Sequence, residues 1–167
     1  MKSPYAGLRF AAVAAAFLMV AACSSSSETG AASTTPSSSS SAIQPGTQQD
    51  LVTNVGDRVF FDLDKSVLKD EGKATLQRQA AWMKLYPNLT FTLEGHADER
   101  GTREYNLALG ARRANAAKDY LVSLGVDSAR IKTISYGKER PVCLESNEEC
   151  WAQNRRAVTV VAEGAGS

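Results

Sequence analysis

Little in the composition of this 167-residue chain points to chemistry. It has one histidine, which excludes a metal site built from several imidazoles. It has three cysteines, an odd number, so at least one is unpaired or modified. Neither sign of charge prevails. Nineteen Lys and Arg face eighteen Asp and Glu, a net of +1, which removes any global electrostatic case for nucleic-acid binding. Five Phe, five Tyr and two Trp are few, so a core must rest on aliphatic side chains. The longest apolar run, Phe10 to Ala22, is thirteen residues. A spanning helix needs roughly 18 or more. What is present is a 43% hydrophobic content, which excludes a wholly disordered chain. The length suits one ordinary domain with appendages.

Lys2 and Arg9, the apolar run and the small pair Ala21-Ala22 together read as an export signal over residues 1–22. Without it the chain carries seventeen positive and eighteen negative charges, so binding must depend on local charge placement. Val20-Ala21-Ala22-Cys23 resembles the lipobox of bacterial lipoproteins. That resemblance implies cleavage before Cys23, a diacylglycerol on its sulfur and an N-acyl chain such as palmitate. Ser24, rather than Asp, then implies sorting to the outer membrane with the domain facing the periplasm. One chain anchors marginally and several hold stably. The plainer alternative is ordinary secretion with a spare thiol.

Residues 24–50 are low in complexity, with serine runs at Ser24–Ser27 and Ser37–Ser41 and only Glu28 and Asp50 charged. Such a segment buries too little apolar area to offset its ordering entropy. It reads as a tether of roughly 25–30 Å root-mean-square span and roughly 90 Å at full stretch. A folded domain is expected over residues 51–163, with residues 164–167 as a tail.

Within that domain, Arg58 to Leu63 reads as a strand, being β-branched and aromatic. Asp70 is expected to cap a helix whose apolar stripe is Leu76, Ala80 and Met83, ending near Tyr86 before Pro87. Leu89, Phe91 and Leu93 alternate with polar residues as a half-buried strand. Gly95 to Arg103 reads as a loop. A long helix follows, with Leu107, Ala111, Ala114, Ala117, Leu121 and Leu124 on one face and Gly125 as its stop. Arg130 to Tyr136 and Ala157 to Ala162 read as further strands, separated by an irregular excursion carrying two cysteines. The alternation predicts an α+β fold of two layers, a mixed β-sheet with its helices on one face.

The stretch between the second strand and the long helix, Gly95-His96-Ala97-Asp98-Glu99-Arg100-Gly101-Thr102, concentrates the charged groups. Asn106 and Arg113 lie seven apart on the helix, hence on one face, with Leu109 between them. Asp98 and Arg113 frame a site with a negative and a positive end, which matches a zwitterion. The alternative is a structural ion pair that holds the loop down.

These residues, with Arg112-Arg113-Ala114-Asn115, Tyr136-Gly137-Lys138-Glu139, Asn154-Arg155-Arg156 and Phe61-Asp62-Leu63-Asp64-Lys65, resemble the OmpA-like peptidoglycan-binding domain across about residues 55–162. The resemblance implies a domain that holds the free end of diaminopimelate in the stem peptide of peptidoglycan. By its motif, Asp98 receives the ligand ammonium and Arg113 its carboxylate. Asn106 and Leu109 line the pocket. Leu63 and Asp64 offer backbone N–H groups to a ligand carboxylate. It further implies membership of the Tol-Pal system of envelope integrity and cell division, with TolB as the main protein partner and TolA as a second candidate. No cofactor and no enzymatic activity are implied.

Rival readings are weaker. His96 with Asp98, Glu94 and Ser135 tempts a wall-hydrolase assignment, yet no Gly-x-Ser-x-Gly turn is present. Glu94 and Asp98 are a poor glycosidase pair beside adjacent arginines. Zinc on His96, Cys143 and Cys150 lacks thiolate spacing. A surface adhesin without a wall ligand is a third class. His96 is expected simply to pack within its loop. Cys143 and Cys150 are expected to form a disulfide in an exported chain, with free thiols the alternative.

Overall fold

The computed structural model describes residues 43–162. The signal, Cys23, most of the tether and the tail lie outside the described residues.

The last residues of the segment whose composition suits a tether carry regular structure. Helix α1 (Gln48–Asp50) is capped by the Thr47 hydroxyl and passes into a π-helical turn over Leu51–Val55. Asp50 is the anchor. Its carboxylate accepts from Asn54 Nδ2 at 2.8 Å, the Gly46 N–H at 2.9 Å and Trp82 Nε1 at 2.9 Å. Those bonds, led by Asn54, hold its carboxyl below the usual range against the opposing effect of burial.

Strand β1 is Arg58–Phe60, shorter than the Arg58–Leu63 stretch suggests. The chain leaves the sheet after Phe61, whose N–H donates to the Arg155 carbonyl at 2.9 Å. It then turns, Lys65 N–H to Asp62 O at 3.2 Å, with Asp64 at a positive φ of 58°. Helix α2 (Asp70–Leu85) starts one residue earlier than expected: Lys69 holds the cap position with no side-chain bond, and Asp70 is the first helical residue. There Asp70 and Glu71 face the positive end of the helix dipole. The Leu76, Ala80, Met83 stripe is buried as its spacing requires.

Strand β2 is Phe91–His96, so Gly95 and His96 belong to the sheet and not to the loop. Helix α3 (Arg103–Ser123) is capped by Thr102, whose Oγ1 accepts from the Tyr105 N–H at 3.2 Å. Its inward face is Asn106, Leu109, Gly110, Arg113, Ala114, Ala117 and Leu121. Leu107, expected inside, is 48% exposed. The helix is turned by a contact between two glycines: a Cβ on Gly95 would overlap the Gly110 carbonyl oxygen, so the missing side chain permits the close approach of α3 to β2. Gly125, at φ 89°, ends α3.

A 3-10 turn (Ser128–Arg130) leads into β3 (Ile131–Gly137). The excursion contains α4 (Glu148–Asn154) and is closed by the Cys143–Cys150 disulfide. Strand β4 is Arg156–Val161. The sheet order is β1-β4-β2-β3, antiparallel except for the parallel pair β2 and β3. Helices α2 and α3 pack on one face over Val59, Leu93, Phe91, Ile131 and Ala157. Gln79 and Thr159 bond across that layer at 2.7 Å, so this buried polar pair is satisfied. Val158 and Val160 share a face as expected, and it is the other one, with Thr92, Glu94, Ile134 and Tyr136. Among the described residues no helix is long and apolar enough to cross a membrane.

Candidate functional site

The C-terminal end of β2, the turn after β1 and the first half of α3 enclose a cleft of about 340 Å³. Leu63, Asp64, Asp98, Asn106, Leu109 and Arg113 all line it, so the structure brings the six candidate residues together. Arg100, Gly101 and Tyr105 complete the wall.

Arg113 is a fully buried guanidinium, 0% exposed. Its Nε donates to Lys65 O at 2.9 Å, one terminal nitrogen to His96 O at 2.8 Å and the other to Asp62 O at 3.1 Å. A guanidinium has five N–H donors, so two remain for a ligand. Burial lowers its pKa to about 10, opposed by the Asp98 charge, and it stays protonated at neutral pH. By joining the Asp62–Lys65 turn to the end of β2, Arg113 sets the shape of the cleft. It is not in a direct ion pair with Asp98.

Asp98 is buried beneath two other arginines. The Arg100 N–H, Nε and a terminal nitrogen approach it at 3.1, 3.3 and 2.6 Å. Arg155, from the junction of α4 and β4, reaches it at 3.3 Å. Burial works against its ionisation, but the Arg100 bonds and charge, backed by Arg155, outweigh it and keep the carboxyl below its ordinary range. Arg155 also pairs with Glu148 at 2.6 Å and donates to Phe61 O at 3.1 Å. The Arg100 guanidinium carbon lies 4.0 Å from the centroid of the Trp151 ring, whose Nε1 donates to Glu99 at 2.9 Å. The excursion thereby packs behind Arg100 and backs the wall beside Asp98 from outside the cleft.

Asn106 Nδ2 donates to Arg100 O at 2.8 Å and fixes the loop backbone. Leu109 gives an apolar wall. At the mouth the Tyr105 hydroxyl donates to Asp64, and that bond raises the Tyr105 pKa. Tyr105 had a signal in the sequence, lying four before Leu109 and so on the same face. Arg100 sits two residues from Asp98. Arg155 had no local signal, because its partner is 57 residues away.

His96 packs against Tyr136 with ring centroids 5.5 Å apart. Glu94 is 3.6 Å from its Nε2. Both ring nitrogens lack a hydrogen-bond partner, and burial, with the charges of Arg156, Arg140 and Arg58, lowers its pKa to about 4. It is a neutral packing residue. Ser135 Oγ is already bonded to Leu107 O at 2.6 Å and to the Gly137 N–H at 3.2 Å. No cluster of metal-ligating side chains occurs among the described residues.

The sheet, the placement of α3 and the cleft between them define a family. The chain matches the OmpA family over residues 60–156 and belongs to it. Its relatives include the peptidoglycan-associated lipoprotein of Rhizobium meliloti (strain 1021), 63% identical over 126 residues that cover 75% of this chain and 71% of the relative. The peptidoglycan-associated lipoprotein of Agrobacterium fabrum is 62% identical over 122 residues, 73% of this chain and 68% of that one. The crystal structure of the peptidoglycan-associated lipoprotein from Burkholderia pseudomallei aligns with a TM-score of 0.62 at 45% identity, over 64% of this chain and 90% of that chain. The C-terminal domain of Helicobacter pylori MotB shares the fold at 20% identity and a TM-score of 0.61.

Proposed function

We propose that this chain is a non-enzymatic envelope tether: a lipoprotein, acylated at Cys23, whose domain binds the diaminopimelate-containing stem peptide of peptidoglycan. The lipid holds the outer membrane and the domain holds the wall, within the Tol-Pal system. The carrying observation is the cleft in which a buried carboxylate, Asp98, and a buried guanidinium, Arg113, line the same 340 Å³ space in an OmpA-family chain. A ligand ammonium meets Asp98. A ligand carboxylate meets the two remaining Arg113 N–H groups and the backbone of Leu63 and Asp64. Each charge-assisted bond contributes on the order of 1.5–3 kcal/mol. After the cost of association the single-site affinity is modest, and many sites on a continuous wall add by avidity.

The burial of His96, whose lowered pKa makes it a weak base, and the occupied hydroxyl of Ser135 favour binding over hydrolysis. TolB is the proposed protein partner, with TolA a second, and the wall-binding loops are where TolB would compete with peptidoglycan. A pull-down with TolB separates this reading from an OmpA-like lipoprotein outside that system.

The test is titration of the processed chain with stem peptide, followed residue by residue by NMR, together with sedimentation with purified sacculi. Asp98→Ala should abolish binding, because the ammonium loses its counter-charge in a partly desolvated cleft. Sacculi should pellet the wild-type chain without releasing fragments. Full binding by a well-folded Asp98→Ala chain would overturn the site.

A further inference from the structure

Arg113 is the obvious partner for a ligand carboxylate, yet most of its hydrogen-bonding capacity is spent on carbonyls inside the protein. The other guanidinium lining the cleft is differently placed. Arg100 is 33% exposed at its side chain and holds Asp98 from the solvent side at 2.6 Å. It therefore occupies the position beside Asp98 that a ligand ammonium must take. We propose that Arg100 is the specificity-determining residue of the cleft: an arriving ammonium displaces it from Asp98, and the released guanidinium joins Arg113 on the carboxylate of the same ligand. This rests on the zwitterion reading of the cleft.

Three features allow the exchange. Asp98 keeps a second cation when Arg100 leaves, because Arg155 is buried, 3.3 Å away, and tied to Phe61 O and Glu148. No carboxylate is stranded at any stage, which is the condition that makes breaking a buried pair costly. The backbone of Arg100 does not move with its side chain, since its carbonyl accepts from Asn106 and its N–H donates to Asp98. The displaced guanidinium also has a shelf. Its guanidinium carbon already lies 4.0 Å from the Trp151 ring centroid, and Glu148 is 3.6 Å from its far nitrogen.

The arrangement discriminates by what the ligand returns. A ligand end bearing an ammonium and a carboxylate replaces one charge pair with two: ammonium to Asp98 and carboxylate to the Arg100 fork. A ligand end with an amine alone removes a cation from Asp98 and leaves the guanidinium without a new acceptor. The planar fork matters, because it meets a carboxylate through two parallel bonds.

The experiment uses the processed chain in detergent and two fluorescently labelled stem peptides, one ending its side chain in the diaminopimelate centre and one in lysine. Wild type should prefer the diaminopimelate peptide by roughly 10- to 100-fold, the ratio that one charge-assisted bond supports. Arg100→Ala should bring the two affinities to within about threefold, by weakening the diaminopimelate peptide while leaving the lysine peptide unchanged or tighter. Arg100→Lys, with charge but no fork, should fall between. A residue that merely holds the loop would weaken both peptides equally, and an unchanged ratio in Arg100→Ala overturns the proposal. If thermal melts show Arg100→Ala to be poorly folded, Arg100→Gln carries the same comparison. Failure of the wild type to bind either peptide would instead overturn the function proposed above.

Discussion

Two basic side chains are buried at the C-terminal end of β2; burial lowers the pKa of both, but their hydrogen bonding is opposite. The backbone carbonyl of His96 is one of three that receive the Arg113 guanidinium, while the His96 ring has no partner at either nitrogen. Arg113 remains a cation at neutral pH because its pKa, lowered by burial to about 10, still lies well above 7, and three carbonyl oxygens satisfy its buried N–H groups. His96 stays neutral because burial and three nearby arginines make its charged form costly, and Glu94 at 3.6 Å does not offset them. Burial alone does not decide ionisation. The ordinary pKa decides it, far above 7 for a guanidinium and near 6.5 for an imidazole, while the acceptors decide which of the two groups is hydrogen-bonded.

The largest effect should come from removing the satisfied cation. Arg113→Met leaves three carbonyls without their donor and should lower unfolding free energy by about 3–5 kcal/mol, the range for breaking a buried charged network. Urea denaturation measures it. A loss below about 1 kcal/mol would mean that water reaches those carbonyls, and the contrast with His96 would collapse.

The second effect is acid sensitivity on the other side. The folded pKa of His96, about 4, lies below the ordinary 6.5, so the unfolded chain takes up the proton first. Its contribution is fully present above about pH 6.5 and is lost as pH falls towards 4, by at most about 3 kcal/mol. Denaturation curves across that range should show the slope in wild type, and His96→Leu should flatten it.

The disulfide gives a smaller and separable loss. Cys143→Ser with Cys150→Ser should cost about 2.5 kcal/mol by the chain-entropy estimate for a closed loop of this size. Melts with and without reductant should reproduce the difference in wild type and show none in the double variant.

The smallest effect sharpens the contrast most. At neutral pH, His96→Leu removes no hydrogen bond from its ring and should change stability by less than about 1 kcal/mol in either direction. A loss comparable to that of Arg113→Met would reveal an acceptor or a bound water at the imidazole.

Periodicity and local chemistry were legible where neighbours in sequence are neighbours in space. The Leu76, Ala80, Met83 stripe, the Phe91 and Leu93 alternation and the Gly125 stop are of this kind. So was the grouping of Asn106, Leu109 and Arg113, two turns of one helix. Leu107 misled because apolar spacing fixes a helix face only to within about one residue, and here the Gly95–Gly110 contact set the rotation. Asp70 misled because acidic residues suit both the cap and the first turn.

By itself, then, the sequence determined which segments form helices and strands, which loop concentrates charge and which residue types meet there. The tertiary structure alone decided what each charge does. Arg113 faces carbonyls brought from the turn after β1 and from β2, 48 and 17 residues away, and Asp98 is shared between Arg100 beside it and Arg155 from the junction of α4 and β4. The reason is physical: helix and strand preferences act over a few residues. The state of a buried charge depends on acceptors and counter-charges within a few ångströms, and folding recruits those from anywhere in the chain.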